Sequence, residues 1–508
     1  MSRFDLVIAA GSVVDGSRAA EPTSADVGIT DGLIAAIGDL AAADRTRTID
    51  AAGRVVAPGF IDTHTHVEMA SLTGHADRFA PVAQGVTTTL IGLDGFGWVG
   101  LADEDRGRWW EDMAAIYGPP LSPLPTWPTP REFMRELNAA SPTSVVPLVP
   151  HGNVRAAAMG SARDPASPSQ MRAMREMVID WFNAGAVGMS SGLDYLPGRF
   201  AGTDEIVELC EVMAPRGGVY ATHMRISDLG RAGAWREAGE IARRSGVPLR
   251  ISHERLDEEG AALLDDVSEH SDVTVDSYLY PAGCTSLAYH VPAEALIDGV
   301  TALSRRLELD SGFAADLAGH LDERLAGTPG QEAIVAATTS GRFEGRRLSS
   351  LASERGSTVG ELAVELLRDE MPCGLLVYIW QNPDAGWHAT VARTLADDRT
   401  LIASDGVYLG SSAHPRGFGV FPRVLGEFVR RQSLISLADA VHKMTGKPAD
   451  AYGLTDRGRI EPGLRGDVTV FDPAVVAGPG DYEDPRQSPI GIDTVLIGGI
   501  EQQRSDTG

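Results

Sequence analysis

Two histidines separated by one residue form the stretch of this sequence with the clearest chemical potential. His64 and His66 follow residues 56–62, a run of apolar residues that is broken by a Pro-Gly pair and ends in Asp62. Alternate side chains of an extended strand point to the same side, so both imidazoles should leave one strand end toward one point. Imidazoles placed in this way bind a borderline-soft cation such as zinc. An isolated His-x-His is weak evidence, so the prediction depends on further ligands elsewhere.

The elements that must position these histidines are short strands in the middle of the chain. Apolar, β-branched runs alternate there with helical stretches, which is typical of βα units around a parallel sheet. Eight parallel strands with polar residues at their carboxyl ends predict a (β/α)8 barrel, with the active site at that end. The first predicted strand ends at His64 and His66, and the others span residues 85–92, 144–149, 185–190, 218–223, 247–253, 273–280 and 400–405.

Six metal-competent side chains lie at the ends of five of these strands, namely His64, His66, Asp94, His223, His253 and Asp405. His223 and His253 are about one βα unit apart, so they should be neighbours on the barrel rim. A single histidine at a strand end is more often a hydrogen-bonded structural residue. Four histidines with a terminal aspartate, all at strand ends, instead indicate a metal centre.

Both ends of the chain resemble each other in pattern, with short apolar runs separated by turns. Asp-Gly turns divide the first part, and β-branched runs return near the other end. We expect residues 1–57 and 450–508 to build one small β-sandwich beside a barrel at 58–449.

Two stretches interrupt the barrel pattern. Residues 95–140 are rich in proline and tryptophan, and we expect them to form a long loop or lid. Residues 285–372 hold about four helix-like segments, more than one crossover connection needs, and we expect an inserted helical subdomain.

Composition excludes several classes of protein. The chain has 508 residues and a net charge of −26, which argues against binding to nucleic acid or to an anionic membrane surface. No apolar run approaches the roughly 18 residues of a membrane span, and the start lacks a charged-then-apolar leader. Three cysteines are too few for a disulfide framework. We therefore expect a cytoplasmic protein that acts on a small molecule.

The order of these motifs resembles the amidohydrolase superfamily of metal-dependent hydrolases. The run Pro-Gly-Phe-Ile-Asp-x-His-x-His, one histidine on each of two successive strands, and Ser-Asp-Gly at 404–406 carry this resemblance. More specifically, the chain is similar to N-acyl-D-amino-acid deacylases (D-aminoacylases) at residues 151–155, 189–195, 220–225, 251–253, 414–416, 421–426 and 443–446. The resemblance implies the same barrel with a β-sandwich. It also implies hydrolysis of an N-acyl-D-amino acid to a carboxylate and a D-amino acid.

The resemblance also implies roles for the rim residues. His64 and His66 would bind one zinc ion and His223 and His253 a second, more tightly held one. Asp405 would be the general base that deprotonates the activated water and then protonates the leaving amine.

Asp94 departs from the family pattern, in which a cysteine usually bridges two metal ions at this position. Lys443 and Lys447 are the only lysines in the chain, which excludes the carboxylated lysine that bridges the metals in many amidohydrolases. Four interpretations of Asp94 stay open. It bridges two ions, binds one ion, shifts the preference from zinc toward a harder divalent metal, or only caps the turn before Gly95.

The predicted substrate is a small amide with a carboxylate. Arg255 stands where the family commonly has a lysine that holds this carboxylate, and it would supply a bidentate fork. Tyr195 and Tyr280 match tyrosines of the family's substrate pocket, with rim packing as the alternative. His151 and Arg416 are further candidates for substrate contact, and both have structural alternatives.

Two other functions stay open. One is hydrolysis of another C–N bond on the same scaffold, such as a cyclic amide or an N-substituted formamide. The other is a metal-free relative that serves as a binding or scaffold protein. Metal analysis distinguishes the metal-free relative from the two possible hydrolases. Chiral product analysis distinguishes the N-acyl-D-amino-acid deacylase from the hydrolase of another C–N bond.

Overall fold

Short strands and helices alternate through most of the protein. The structure, a computed structural model, describes residues 3–18, 21–325, 331–380 and 385–503. In chain order its strands are β1 (Phe4–Val13), β2 (Thr23–Thr30), β3 (Leu33–Gly38), β4 (Arg45–Asp50), β5 (Val55–Pro58), β6 (Phe60–Asp62), β7 (Val86–Ile91), β8 (Ser144–Pro147), β9 (Val149–Pro150), β10 (Gly188–Gly192), β11 (Val219–His223), β12 (Leu249–Ile251), β13 (Val273–Ser277), β14 (Ala282–Ser286), β15 (Gln331–Ala337), β16 (Leu375–Trp380), β17 (Thr400–Ile402), β18 (Val468–Phe471), β19 (Ile492–Ile497) and β20 (Ile500–Glu501).

The helices fill the connections between these strands. In chain order they are α1 (Glu68–Leu72), α2 (Ala80–Ala83), α3 (Asp103–Tyr117), α4 (Pro130–Ala140), α5 (His151–Met159), α6 (Pro168–Asn183), α7 (Thr203–Met213), α8 (Ile226–Ser245), α9 (Glu258–Ser268), α10 (Val300–Leu309), α11 (Ser311–Leu325), α12 (Leu348–Arg355), α13 (Val359–Asp369), α14 (Ala385–Ala396), α15 (Arg416–Arg423), α16 (Leu437–Met444) and α17 (Gly446–Ala451). Within the described ranges, no helix has both the length and the apolar character needed to cross a bilayer.

A closed ring of parallel strands occupies the middle of the chain. The strands are adjacent in the order β6-β7-β8 and β9-β10-β11-β12-β13-β17. β8 and β9 are one strand interrupted at Leu148, whose N–H still donates to the carbonyl of Ile91 at 2.9 Å. The N–H of Asp405, after β17, donates to the carbonyl of His64 at 2.7 Å and joins the last strand to the first. The predicted (β/α)8 barrel is therefore confirmed.

The sequence of each βα unit explains how the helices cover this barrel. All six residues of β7 are buried, as expected for a parallel strand with both faces covered. Ser167 forms a capping box at the start of α6, and Pro168 occupies its first turn, where a missing N–H costs nothing. Met174, Val178 and Trp181 are spaced one helical turn apart, and all three are buried.

Both ends of the chain contribute to one eight-stranded sheet. Its order is β20-β19-β18-β5-β1-β2-β3, with β4 also paired to β1. Gly59 joins this sheet to the barrel where β5 passes into β6, and a Cβ there would lie 2.2 Å from Thr87. The sequence pattern did not predict β4, in which charged and threonine residues alternate. The proposed domain boundaries at residues 57 and 450 stay a prediction.

The expectation of a long loop at residues 95–140 is wrong, because α3 and α4 lie there. The prolines that suggested a loop are concentrated between the two helices, and Pro130 occupies the first position of α4. Thr129 caps α4 in a capping box with Glu132. Trp109 and Trp110 on α3 are buried in the same apolar cluster as Met189 of β10 and Trp181 of α6, so this segment packs against the barrel.

The insertion between β13 and β17 contains more than helices. The four expected helices are present as α10, α11, α12 and α13. An unpredicted three-stranded antiparallel sheet in the order β14-β16-β15 accompanies them. A short apolar run such as that of β16 does not distinguish a strand from a buried helix by periodicity alone.

Candidate metal centre

The first pair of histidines converges with two aspartates at the barrel rim. Nε2 of His64 lies 3.5 Å from Oδ2 of Asp94, and Nε2 of His66 lies 3.6 Å from the same oxygen. The same two nitrogens lie 3.7 Å and 3.6 Å from Oδ1 of Asp405. All four side chains are buried. The loops after β6, β7 and β17 therefore bring their polar groups to one point.

The second pair of histidines adjoins the first. Nδ1 of His223 lies 2.9 Å from Nε2 of His253, and the His253 ring centroid lies 5.4 Å from that of His64. Ligand atoms of His64, His66 and Asp94 lie within 4.8 Å of one another, and so do those of Asp94, His223 and His253. Asp94 is the residue that both groups share.

Several polar atoms of this cluster have no hydrogen-bond partner. Both ring nitrogens of His64, Nε2 of His223 and Oδ1 of Asp94 are buried and unpaired among the described residues. Buried polar atoms are nearly always hydrogen-bonded, so this concentration of unpaired atoms indicates a missing partner. Imidazole nitrogens with a carboxylate are a donor set for zinc and similar divalent cations, and the residues fit such an ion.

The electrostatics of the cluster suit a cation. Burial alone would raise the pKa of Asp94, but His64 and His66 hold it well below the usual range. Burial lowers the pKa of His253 to about 3, and the neighbouring His223 adds to this effect. The carboxylate is therefore anionic and the His253 imidazole neutral, which are the forms that bind a metal.

Left-handed backbone conformations occur at three of these positions. The φ angles of Asp94, His253 and Asp405 are 54°, 42° and 47°. Non-glycine residues pay an energetic cost for this conformation, and such positions cluster at functional sites. Gly192 packs against the Asp94 turn, where a Cβ would lie 2.3 Å from the Asp94 carbonyl oxygen. The surrounding strand ends thus hold the ligand loops in place.

Asp276, which was not among the predicted site residues, supports both pairs of histidines from β13. Its Oδ1 accepts a hydrogen bond of 2.7 Å from the backbone N–H of His253. Its Oδ2 lies 3.6 Å from Nδ1 of His64. An aspartate near the carboxyl end of an otherwise apolar strand was the available signal. Asp62 has a similar role, since its Oδ1 accepts hydrogen bonds from the N–H of His64 at 3.3 Å and from the N–H of Ser404 at 2.9 Å.

Arg416 lies directly against Asp405. Its Nη2 is 2.8 Å from Oδ2 of Asp405, and the guanidinium carbon lies 4.3 Å from the ring centroid of Tyr278. Burial would raise the pKa of Asp405, but Arg416, His64 and His66 lower it below the usual range. Asp405 is therefore ionised and able to accept a proton.

A cavity of about 300 Å³ opens beside the cluster. His66, Asp94, His223, His253 and Asp405 form its floor. Tyr195 and Arg416 belong to its wall, and so do Arg324 and Tyr378 of the insertion. The insertion thus closes one side of the space in which a substrate would meet the cluster.

Arg255 does not reach this cavity. Its Nη2 donates to the hydroxyl of Tyr278 at 2.9 Å and to the carbonyl of Ala282 at 2.8 Å. Its guanidinium also packs on the Trp380 ring at 5.0 Å. Tyr278 lines the cavity and Arg255 does not, so the arginine supports the wall from behind. Its role as carboxylate anchor stays a prediction.

Tyr280 and His151 also lie outside the cavity wall. Tyr280 is buried beneath Arg423, whose guanidinium carbon lies 4.5 Å from the ring centroid. Nε2 of His151 lies 2.9 Å from Oε1 of Glu205, so this histidine links α5 to α7. Of the predicted substrate residues, the structure brings Tyr195 and Arg416 to the cavity.

Comparisons with known proteins agree with this architecture. The sequence model described as the amidohydrolase family matches residues 47–500. D-aminoacylase of Alcaligenes xylosoxydans xylosoxydans is 32% identical over 525 residues, which cover 99% of this chain and 96% of that protein. A D-aminoacylase structure solved to study its binuclear metal centre has 33% identity and a TM-score of 0.79, with 99% and 98% coverage. N-acyl-D-glutamate deacylase from Bordetella bronchiseptica, solved with zinc and a phosphonate mimic of the tetrahedral intermediate, has 28% identity and a TM-score of 0.82, with 98% and 96% coverage.

Proposed function

This chain belongs to the amidohydrolase family, and on that premise we propose that it hydrolyses the amide bond of N-acyl-D-amino acids. It is a hydrolase of non-peptide carbon–nitrogen bonds, and its products would be a carboxylate and a free D-amino acid. The sharing of Asp94 by two pairs of histidines, with Asp405 beside the first pair, is the observation that carries the proposal.

His64, His66, Asp94, His223 and His253 would hold one or two divalent cations. A cation bound there supplies positive charge that polarises the amide carbonyl and lowers the pKa of a water molecule. Asp94 offers a harder oxygen in place of a thiolate, which favours zinc less strongly than a cysteine would. We propose zinc as the cation, with another divalent metal as the alternative.

Asp405 would take a proton from the attacking water and deliver it to the leaving nitrogen. Arg416 keeps Asp405 ionised and also lines the cavity, so it is the proposed anchor for the substrate carboxylate. Tyr195 would pack against the scissile group, since it lies 4.6 Å from the His223 ring, centroid to centroid.

The test is chiral product analysis of the metal-loaded protein with matched N-acetyl-D- and N-acetyl-L-amino acids. Release of the D-amino acid, loss of this activity after chelation, and its return on adding zinc are expected. Equal action on both enantiomers would contradict the proposal. Hydrolysis of a cyclic amide or an N-substituted formamide, without action on N-acyl-D-amino acids, would assign the scaffold to the other reaction.

A further inference from the structure

A second, apolar cavity adjoins the metal-centre cavity. Its volume is about 90 Å³, and it lies between α3 and the segment that follows β14. The two cavities share the wall residues Phe96, Ile116, Tyr195 and Tyr289. The rest of the side chamber, as we call this second cavity, is lined mainly by aliphatic residues, including Met113, Leu196, Ala293, Leu296 and Val300.

The charged groups at the side chamber are already paired within the protein. Asp194 accepts hydrogen bonds from the N–H of Ser227 at 3.0 Å and from the hydroxyl of Tyr289 at 2.9 Å. Arg199 donates from Nε to Asp228 at 3.0 Å. The remaining carboxylate, that of Asp112, accepts from the N–H of Val300 at 3.1 Å. The chamber therefore offers an occupant apolar surface and no free charge among the described residues.

The topology of the barrel decides which end of a substrate enters this chamber. Phe96 follows the second barrel strand and Tyr195 the fourth, whereas Tyr278 and Arg416 follow the seventh and eighth. These pairs lie on opposite sides of an eight-stranded rim. In an N-acylated amino acid, the carboxylate and the acyl chain lie at opposite ends of the scissile amide. A carboxylate held at Arg416 therefore directs the acyl chain toward Phe96, Tyr195 and the side chamber.

We propose that the side chamber is an acyl-chain site, and that it selects N-acyl amino acids with linear apolar acyl groups longer than acetyl. The inference rests on the proposed function and names its preferred class of substrate. Each methylene moved from water into such a site raises kcat/KM by about fourfold, so butyryl, with two more methylenes, should exceed acetyl by about 16-fold. The gain should end when the chain fills the chamber, because a longer chain meets close-packed side chains.

The test is a kcat/KM series with acetyl, butyryl, hexanoyl and octanoyl derivatives of one D-amino acid. Two chamber variants accompany it. Ala293→Leu reduces the space, so the ratio of hexanoyl to acetyl kcat/KM should fall by about tenfold or more. Met113→Ala enlarges the space, so the preferred chain should become longer. Met213→Ala is the matched control, since Met213 is buried on α7 and lines neither cavity.

A wild-type profile that is flat or falls with acyl length, while acetyl substrates are hydrolysed, would overturn the acyl-chain site and leave the proposed function intact. Variants that change the preference for the amino-acid side chain instead of the acyl chain would also overturn it. If no N-acyl-D-amino acid of any chain length is hydrolysed, the proposed function fails, and this inference fails with it. If Ala293→Leu does not fold, the direction of the shift in Met113→Ala decides the matter.

Discussion

The hydroxyl of Tyr117, at the end of α3, lies 3.0 Å from Nδ1 of His66. The same hydroxyl donates to Oε1 of the buried Glu68 at 3.5 Å, and that oxygen accepts the N–H of Gly92 at 3.0 Å. A hydroxyl that donates to Glu68 can accept the Nδ1 proton of His66, which leaves Nε2 with a lone pair for a cation. Tyr117 thus connects the first histidine pair to the turn that carries Asp94.

Replacing Tyr117 by phenylalanine tests this connection. Loss of a partner of this kind typically weakens metal binding by about 10- to 100-fold, because the ligand loses its fixed tautomer and orientation. The dissociation constant is measured by competition with a coloured chelator. Tyr452→Phe is the matched control, since its hydroxyl is buried and without a partner among the described residues. An equal effect of the two variants would contradict the assignment.

The position of Asp94 between the two histidine pairs predicts an unequal pattern of metal loss. Asp94→Ala should reduce metal retention both at the group with His64 and His66 and at the group with His223 and His253. His66→Ala should affect the first of these groups more than the second. Metal content per chain after gel filtration measures the difference. The exposed His75 provides the control variant His75→Ala.

A second substitution at Asp94 tests which metal the site prefers. Asp94→Cys replaces a hard oxygen by a soft thiolate, so zinc should be retained more strongly relative to manganese. Competition between the two ions, followed by metal analysis, measures this preference. An unchanged ratio would mean that Asp94 does not contact the cation.

Asp405→Asn removes the proposed proton acceptor and keeps an oxygen for Arg416 to bind. General acid–base groups contribute about 10²- to 10⁴-fold, so kcat should fall within this range while metal content stays near that of the wild type. Steady-state kinetics and metal analysis on the same preparation are needed. The exposed Asp204 gives the control variant Asp204→Asn. A loss of metal equal to the loss of activity would identify Asp405 as mainly a ligand.

The ion pair of Arg416 with Asp405 predicts a shift in the pH profile. The positive charge of Arg416 lowers the pKa of Asp405 against the effect of burial. Removing it in Arg416→Met raises that pKa, and the acceptor must be ionised, so the acid limb of kcat should move to higher pH. KM for a carboxylated substrate should also rise. An acid limb that stays in place would show that another group controls it.

Asp112 on α3 predicts a measurable cost to stability at neutral pH. Burial raises its pKa to about 6, from 3.8 for the ordinary group. The folded state binds this proton more tightly than the unfolded state. The stabilisation that the protonated Asp112 carboxyl contributes is therefore complete below about pH 3.8. It is lost as the pH rises through about 6.

Asp112→Asn should consequently raise the free energy of unfolding by up to about 3 kcal/mol at neutral pH and change it little at about pH 4. The variant keeps an oxygen for the N–H of Val300. Thermal unfolding midpoints of the variant and the wild type are compared at the two pH values. A difference that does not depend on pH would contradict the pKa assigned to Asp112.

Much of the barrel could be predicted because its information is local. Parallel strands buried on both faces are continuous apolar runs, and polar groups at their carboxyl ends must meet at one rim. His64 and His66 are close in the chain, and His223 and His253 end successive strands, so strand order alone places each pair. The helices α3 and α4 were missed because a segment rich in proline and tryptophan is equally compatible with a long loop and with a short connection between two capped helices.

Only the tertiary structure decided which groups face the cavity. Arg255 and Arg416 are both arginines beside strand ends, yet the hydroxyl of Tyr278 and a backbone carbonyl hold the first behind the wall, while the second reaches Asp405. Tyr117 meets His66 through contacts between distant segments, which no periodicity records. The reason is physical, since the backbone pattern determines the strand to which a side chain belongs. Packing and hydrogen bonding with distant segments determine the direction in which it points.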